Sequence, residues 1–196
     1  MEYSRSNASR RPAPFGTLIA LSTPRLWLAA AVGLVGLLLA NSVLNAFYAR
    51  SRFPVPFAEG QLTFDAALLE QYYAVMQDAG TLDVYVVTQL VDFGFMAANL
   101  VLGLPLLALV AKGLSERSVL GPVSRGAIWL GVAFPALDAL ENLTSFVLLT
   151  RPADLPGPLV ILYSTLAALK FAAAGLAGTW LLVGGGLALA LRRPRR

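Results

Sequence analysis

Four stretches of this chain stay apolar for longer than the roughly 20 residues a helix needs to cross a hydrocarbon core of about 30 Å. They run from about Leu26 to Tyr48, Val84 to Ala111, Ala127 to Leu149 and Leu159 to Leu191. The last is longer than one crossing requires. Hydrophobic residues make up 57% of the chain and charged residues only 13%, about half the charged share of a soluble domain. The expected fold is therefore all-α: a polytopic membrane bundle of four helices.

The flanks of these runs predict an orientation. Arg5, Arg10, Arg11 and Arg25 precede the first span, and Lys112, Arg117 and Arg125 lie around the second connection. Arg192, Arg193, Arg195 and Arg196 close the chain. The first connection holds Arg50 and Arg52, and the third only Arg151. By the positive-inside rule both termini are cytoplasmic, which makes residues 1–25 and 192–196 cytoplasmic basic tails. Trp27, Trp129, Tyr48, Tyr85 and Tyr163 fall where the two interfaces are expected. The net charge of +4 thus reflects topology, not a nucleic-acid surface. Small residues at Ala40-Asn41-Ser42 would suit signal cleavage, but the long basic segment ahead of them favours a retained first span.

The first connection is the one sizeable segment between spans. Within it Leu62, Ala66, Leu69, Tyr73 and Met76 recur at spacings of four and three, the apolar stripe of a helix over about 62–79. Pro54 and Pro56 precede it and Gly80 ends it. An amphipathic helix at the outer surface is predicted, resting at the interface or packed over the bundle mouth as a lid.

Charges inside the spans are the exceptions that carry information. Asp92, Asp138, Glu141 and Lys170 interrupt otherwise apolar helices, and a charge at the bilayer centre costs about 3 kcal/mol on insertion scales. Asp138, Glu141, Asn142 and Ser145 stand at i, i+3, i+4 and i+7 and share one face, just after Pro135. Thr88, Asp92 and Asn99 form a second stripe, continued by Gly103. Asn41, Asn45 and Tyr48 form a third. Lys170 shares a face with Tyr163, Ala167, Ala174 and Ala177. At 1.5 Å per residue, Asn41, Asp92 and Glu141 lie about 10–12 Å deep, and Asp138 and Lys170 about 16–18 Å. One outward-facing site in the outer half is expected, with Lys170 joining it if the fourth span starts near Leu159.

The chain has no cysteine and no histidine, so thiol chemistry, disulfides and histidine-based metal or haem sites are excluded. No metal and no cofactor is expected. Acid–base work would fall to the carboxylates, Lys170 or tyrosines. Three carboxylates against one lysine cannot all be ionised in a dry site, so at least one is expected to hold a proton. Asp138 and Glu141 are the natural pair to share it.

Asp92, the run Pro135-x-x-Asp138-x-x-Glu141-Asn142 and Lys170 resemble a group of small bacterial four-span membrane proteins to which no reaction is assigned. The resemblance covers most of the chain after Pro54 and implies the inner membrane of a bacterium. The chain is more loosely similar to sterol-isomerase and sigma-2-receptor-like four-helix proteins, which hold carboxylates in a cavity for lipophilic ligands. It departs from the sterol isomerases in lacking histidine.

Three functions fit these features. One is an intramembrane site for a lipophilic molecule, with isomerase- or cyclase-like chemistry by Asp138, Glu141 and Asp92 as acid and base. In it Asn142, Lys170, Asn41, Asn45, Asn99 and Tyr163 serve as binding residues. It predicts a ligand-sized cavity lined by all three acids. The second is a structural or accessory subunit of a membrane complex, in which buried polar residues specify packing. The third is a proton-coupled transporter, which four spans without an inverted repeat would support only as an oligomer. The expected partners are membrane lipids, a lipophilic substrate, and another copy or another subunit.

Overall fold

The computed structural model describes residues 15–115 and 119–191. Arg5, Arg10, Arg11, Arg117 and the whole basic segment 192–196 lie outside the described residues, as do the first 14 residues of the N-terminal tail. Seven helices follow in order: α1 (Gly16–Ala20), α2 (Thr23–Ser51), α3 (Phe57–Gln61), α4 (Ala66–Asp78), α5 (Leu82–Ser115), α6 (Gly121–Leu148) and α7 (Gly157–Leu191). No strand occurs among the described residues. Helices α2, α5, α6 and α7 are long and apolar enough to span a membrane, so the chain is a multi-pass membrane protein with an all-α four-helix bundle.

Each long helix outruns its apolar stretch at one end or both. Prolines fix two of the starts: Pro24 in the first turn of α2 and Pro122 in that of α6, where a missing N–H leaves no bond unmade. Pro105 and Pro135 lie inside α5 and α6, which continue through them.

Helix α5 is the hub. It packs against α2 on one side and against α6 and α7 on the other, while α6 and α7 also pair. The α2–α5 contact is close enough to depend on glycine. A Cβ on Gly33 would lie 2.4 Å from the backbone nitrogen of Leu102. Leu26, Ala30, Gly33 and Leu44 form the buried edge of α2, and most of its remaining surface is bare.

One end of the bundle, termed here the cap end, is closed by α3 and α4. The expected helix over 62–79 is corrected in its first turn: α3 stops at Gln61, and α4 begins only at Ala66. Asp65 accounts for the break, because its carboxylate accepts from the Leu68 N–H at 3.2 Å and so caps a new helix. Phe64 just before it adopts φ 51°. Leu62 is consequently exposed and leaves the apolar stripe, whereas Leu69, Tyr73 and Met76 are fully buried. They pack with Tyr85, Leu148, Leu155, Val160 and Tyr163 into the largest apolar cluster among the described residues. The segment lies over the bundle mouth.

Hydrogen bonds fasten this cap from several sides. Tyr48 Oη donates to the Val55 carbonyl at 2.6 Å, and Thr81 Oγ1 donates to the Ser51 carbonyl at 2.6 Å. Glu70 accepts from the Leu155 N–H at 2.7 Å, and Ser164 Oγ accepts from the Phe64 N–H at 3.1 Å. Helices α2 and α7 and the connection between α6 and α7 are thus tied to the segment that closes the mouth.

Candidate functional site

Beneath the cap lie the four buried charged side chains found among the described residues: Asp92, Asp138, Glu141 and Lys170, each 0–3% exposed. Their convergence follows from helical spacing. On α6, Asp138, Glu141, Asn142 and Ser145 are all buried, as one face at i, i+3, i+4 and i+7 requires. On α7, the buried face runs through Tyr163, Ala167, Lys170 and Ala173. Ala167, a turn before Lys170, leaves room for the lysine stem to lie against α6. Because α7 starts at Gly157, Lys170 stands well inside the helix and reaches the acids.

The ammonium of Lys170 bridges two carboxylates, Oδ1 of Asp138 and Oε2 of Glu141. It also lies 5.9 Å from the ring centroid of Phe57 and 5.3 Å from that of Phe171, so aromatic faces enclose its remaining sides. Gln61, the last residue of α3, donates its amide to both oxygens of Glu141, at 3.1 and 3.0 Å. Asn142 serves the third acid: its Nδ2 donates to Asp92 Oδ2 at 2.9 Å and to the Gln89 carbonyl at 3.2 Å. Two linked groups result, Gln61–Glu141–Lys170–Asp138 and Asn142–Asp92, drawn from α3, α5, α6 and α7.

Polar capacity exceeds what these bonds use. Both side-chain amide atoms of Gln89, Oδ1 of Asn142 and Oε1 of Gln61 are buried without a hydrogen-bond partner. Tyr73 comes down from α4 beside Ser145, and burial pushes its phenol above its ordinary value, so it stays neutral there. Tyr73, Tyr85 and Tyr163 are almost wholly buried together, and Phe53 stacks on Tyr85 with ring centroids 5.1 Å apart.

Comparison with family models, curated proteins and solved structures gave no match. The chemistry open to the cluster therefore rests on its own geometry.

That geometry sorts the expected site residues into two groups. Asp92, Asp138, Glu141, Asn142, Lys170 and Tyr163 come together. Asn41 and Asn45 do not: both are exposed on α2, which touches the bundle through a different face. Their depth matched the acids, but their rotation about the helix axis does not. Asn99 is also apart, because its amide donates to the Phe95 carbonyl of its own helix at 2.9 Å. Direct side-chain contacts join the acids to their neighbours, Asp138 and Glu141 to Lys170 and Asp92 to Asn142. Two apolar clefts of the surface lie away from the acids, one along α2, α5 and α7 beside Trp27, Leu109 and Leu182, the other between α6 and α7 beside Leu130 and Trp180. No group of three or more acidic side chains is arranged to hold a metal ion among the described residues.

Sequence reasoning missed Gln61 and Gln89. Gln89 could have been found, since it stands three residues before Asp92 on the same apolar helix. Gln61 lies in a connection where a polar residue is unremarkable, and only the tertiary position of α3 brings it to Glu141.

Proposed function

We propose that this protein is a structural or accessory subunit of a membrane assembly, and that its buried charges form a lock. The lock joins the cap to α5, α6 and α7 in one arrangement. The observation that carries this reading is the bridging position of Lys170 between Asp138 and Glu141, with Gln61 of the cap closing Glu141 from above. Each acid already meets a side chain of the bundle, Lys170 for Asp138 and Glu141 and Asn142 for Asp92. Buried ion pairs add little net stability over apolar packing, but breaking one partner is costly, so they discriminate strongly between correct and incorrect arrangements. On the positive-inside rule the cap end faces outward and both termini are cytoplasmic. An inner membrane of a bacterium is the location that goes with the resemblance to small four-span proteins.

A second reading has one specific observation in its favour. The unpartnered amide atoms of Gln89, Asn142 and Gln61 are more than a lock requires. In this reading the cap opens, and Asp138, Glu141 and Asp92 act as acid and base on a lipophilic substrate that also meets Asn142 and Tyr163.

Complementation of a strain lacking the protein separates the two. Glu141→Gln keeps a hydrogen-bonding group of the same shape but cannot exchange a proton. The lock reading expects a Glu141→Gln strain to retain the wild-type lipid and metabolite profile as long as the protein accumulates and co-purifies with its assembly. A profile that matches the deletion strain, from a Glu141→Gln protein present at normal level, would reject the lock and support the acid–base reading.

A further inference from the structure

Helix α2 carries two seams of heptad spacing, and the bundle fills only one. The filled seam runs through Leu26, Ala30, Gly33, Leu37, Ala40 and Leu44, at alternating steps of four and three, and faces α5. One residue further round, Ala31, Leu34, Leu38, Asn41 and Asn45 repeat at steps of three and four. At 100° per residue this second seam is turned about 100° from the first. All five of its residues are exposed, Leu34 at 48% and Leu38 at 61%.

An apolar seam on a spanning helix can simply face lipid. Two asparagines in it cannot do so cheaply. Asn41 lies about 15 Å from the end of α2 at Ser51, and Asn45 about 9 Å from it. Neither side chain makes a hydrogen bond among the described residues, whereas Asn99 and Asn142 elsewhere in the bundle both do. Asparagine amides in spanning helices hydrogen-bond across helix–helix contacts, and asparagine at a seam position fixes register and a two-stranded state.

We infer that the second seam of α2 binds the same seam of a second copy of this chain, giving a parallel two-fold dimer. The occupant follows from symmetry. Two copies inserted in the same direction are related by an axis along the membrane normal, so each seam residue meets its own counterpart at equal depth. An amide carries both donor and acceptor, so Asn41 pairs with Asn41 and Asn45 with Asn45, and no second type of partner is required. The heptad spacing supplies the matching left-handed crossing between the two helices.

Because the chain has no cysteine, the test needs no background replacement. Single Leu34→Cys and Leu38→Cys variants of the full chain are cross-linked in native membranes with a short bismaleimide. Leu39→Cys and Val43→Cys, also exposed but off the seam, are the comparison. The seam positions are expected to give dimer-mass adducts several-fold above the off-seam ones. Asn41→Leu with Asn45→Leu, placed on the Leu38→Cys background, is expected to lower that yield about tenfold, and leucine there does not disturb a lipid-facing fold. Equal yields at all four positions, an adduct with a protein of another mass, or an unchanged yield in the double leucine variant would each overturn the dimer.

Discussion

The two halves of the bundle solve the same packing problem differently. At the cap end, α5, α6 and α7 meet through charged and amide side chains with three buried tyrosines above them. Toward the termini, the same helices meet through Leu107, Ala111, Ala127, Ile128, Val110 and Ala188, with close approaches at Gly131 and Gly184. That half is packed mainly by apolar side chains, with no buried charge among the described residues, and leaves two clefts along its sides. Between spanning helices there is no water to expel, so small residues and polar bonds must provide what hydrophobic burial provides in a soluble core. Small residues tolerate sliding and rotation. A lysine between two carboxylates does not.

Substitutions test this difference between the halves, and the largest effect is expected at Lys170. Lys170→Met leaves Asp138 and Glu141 facing each other without a cation, which should destabilise the fold by about 3–5 kcal/mol, less whatever proton uptake recovers. Thermal unfolding in mild detergent would read this directly. Gln61→Leu removes the donor from both oxygens of Glu141 and should cost about 1.5–3 kcal/mol. Here the loss is local: faster hydrogen exchange across α3 and α4, with the middle of α5 unchanged, is the expected pattern.

In the apolar half the sensitive points are steric. Gly33→Ala forces a methyl group toward the backbone of Leu102 and should cost about 1–3 kcal/mol, read as loss of α2 protection from proteolysis while α5, α6 and α7 hold. The smallest effect is expected in the cleft beside α7. Leu182→Ala at a side chain 80% exposed should change stability by no more than about 0.5 kcal/mol. A large loss there would mean that the cleft is a packing surface in its own right, and the contrast between the halves would fail.

Much of this was legible in the sequence because it depends on periodicity and composition. Span number and the shared face of Asp138, Glu141 and Asn142 are local properties, fixed by helix geometry once the helix is granted. The arrival of Lys170 was conditional on where α7 begins, and the Gly157 start settles it. What could not be read was rotation between helices. Asn41 stands at the right depth but on the wrong face, since the α2 seam that meets α5 was indistinguishable by hydrophobicity from its neighbours. Nor could the sequence say whether the acids surround a volume or close on one another. That depends on side-chain reach across helices and on a single glutamine carried in by α3.

If the charges act together as the proposed lock, removing all of them at once must be milder than removing the cation alone. Lys170→Met is combined with Asp138→Asn and Glu141→Gln, so that the cluster loses its charges while keeping its shape and hydrogen-bonding groups. Unfolding of the triple variant is then compared with that of Lys170→Met alone. The lock predicts that the triple variant recovers most of the stability lost in the single one, because replacing all partners of a buried ion pair removes the uncompensated charge. A triple variant at least as unstable as Lys170→Met, or a Lys170→Met protein that unfolds like wild type, would contradict it.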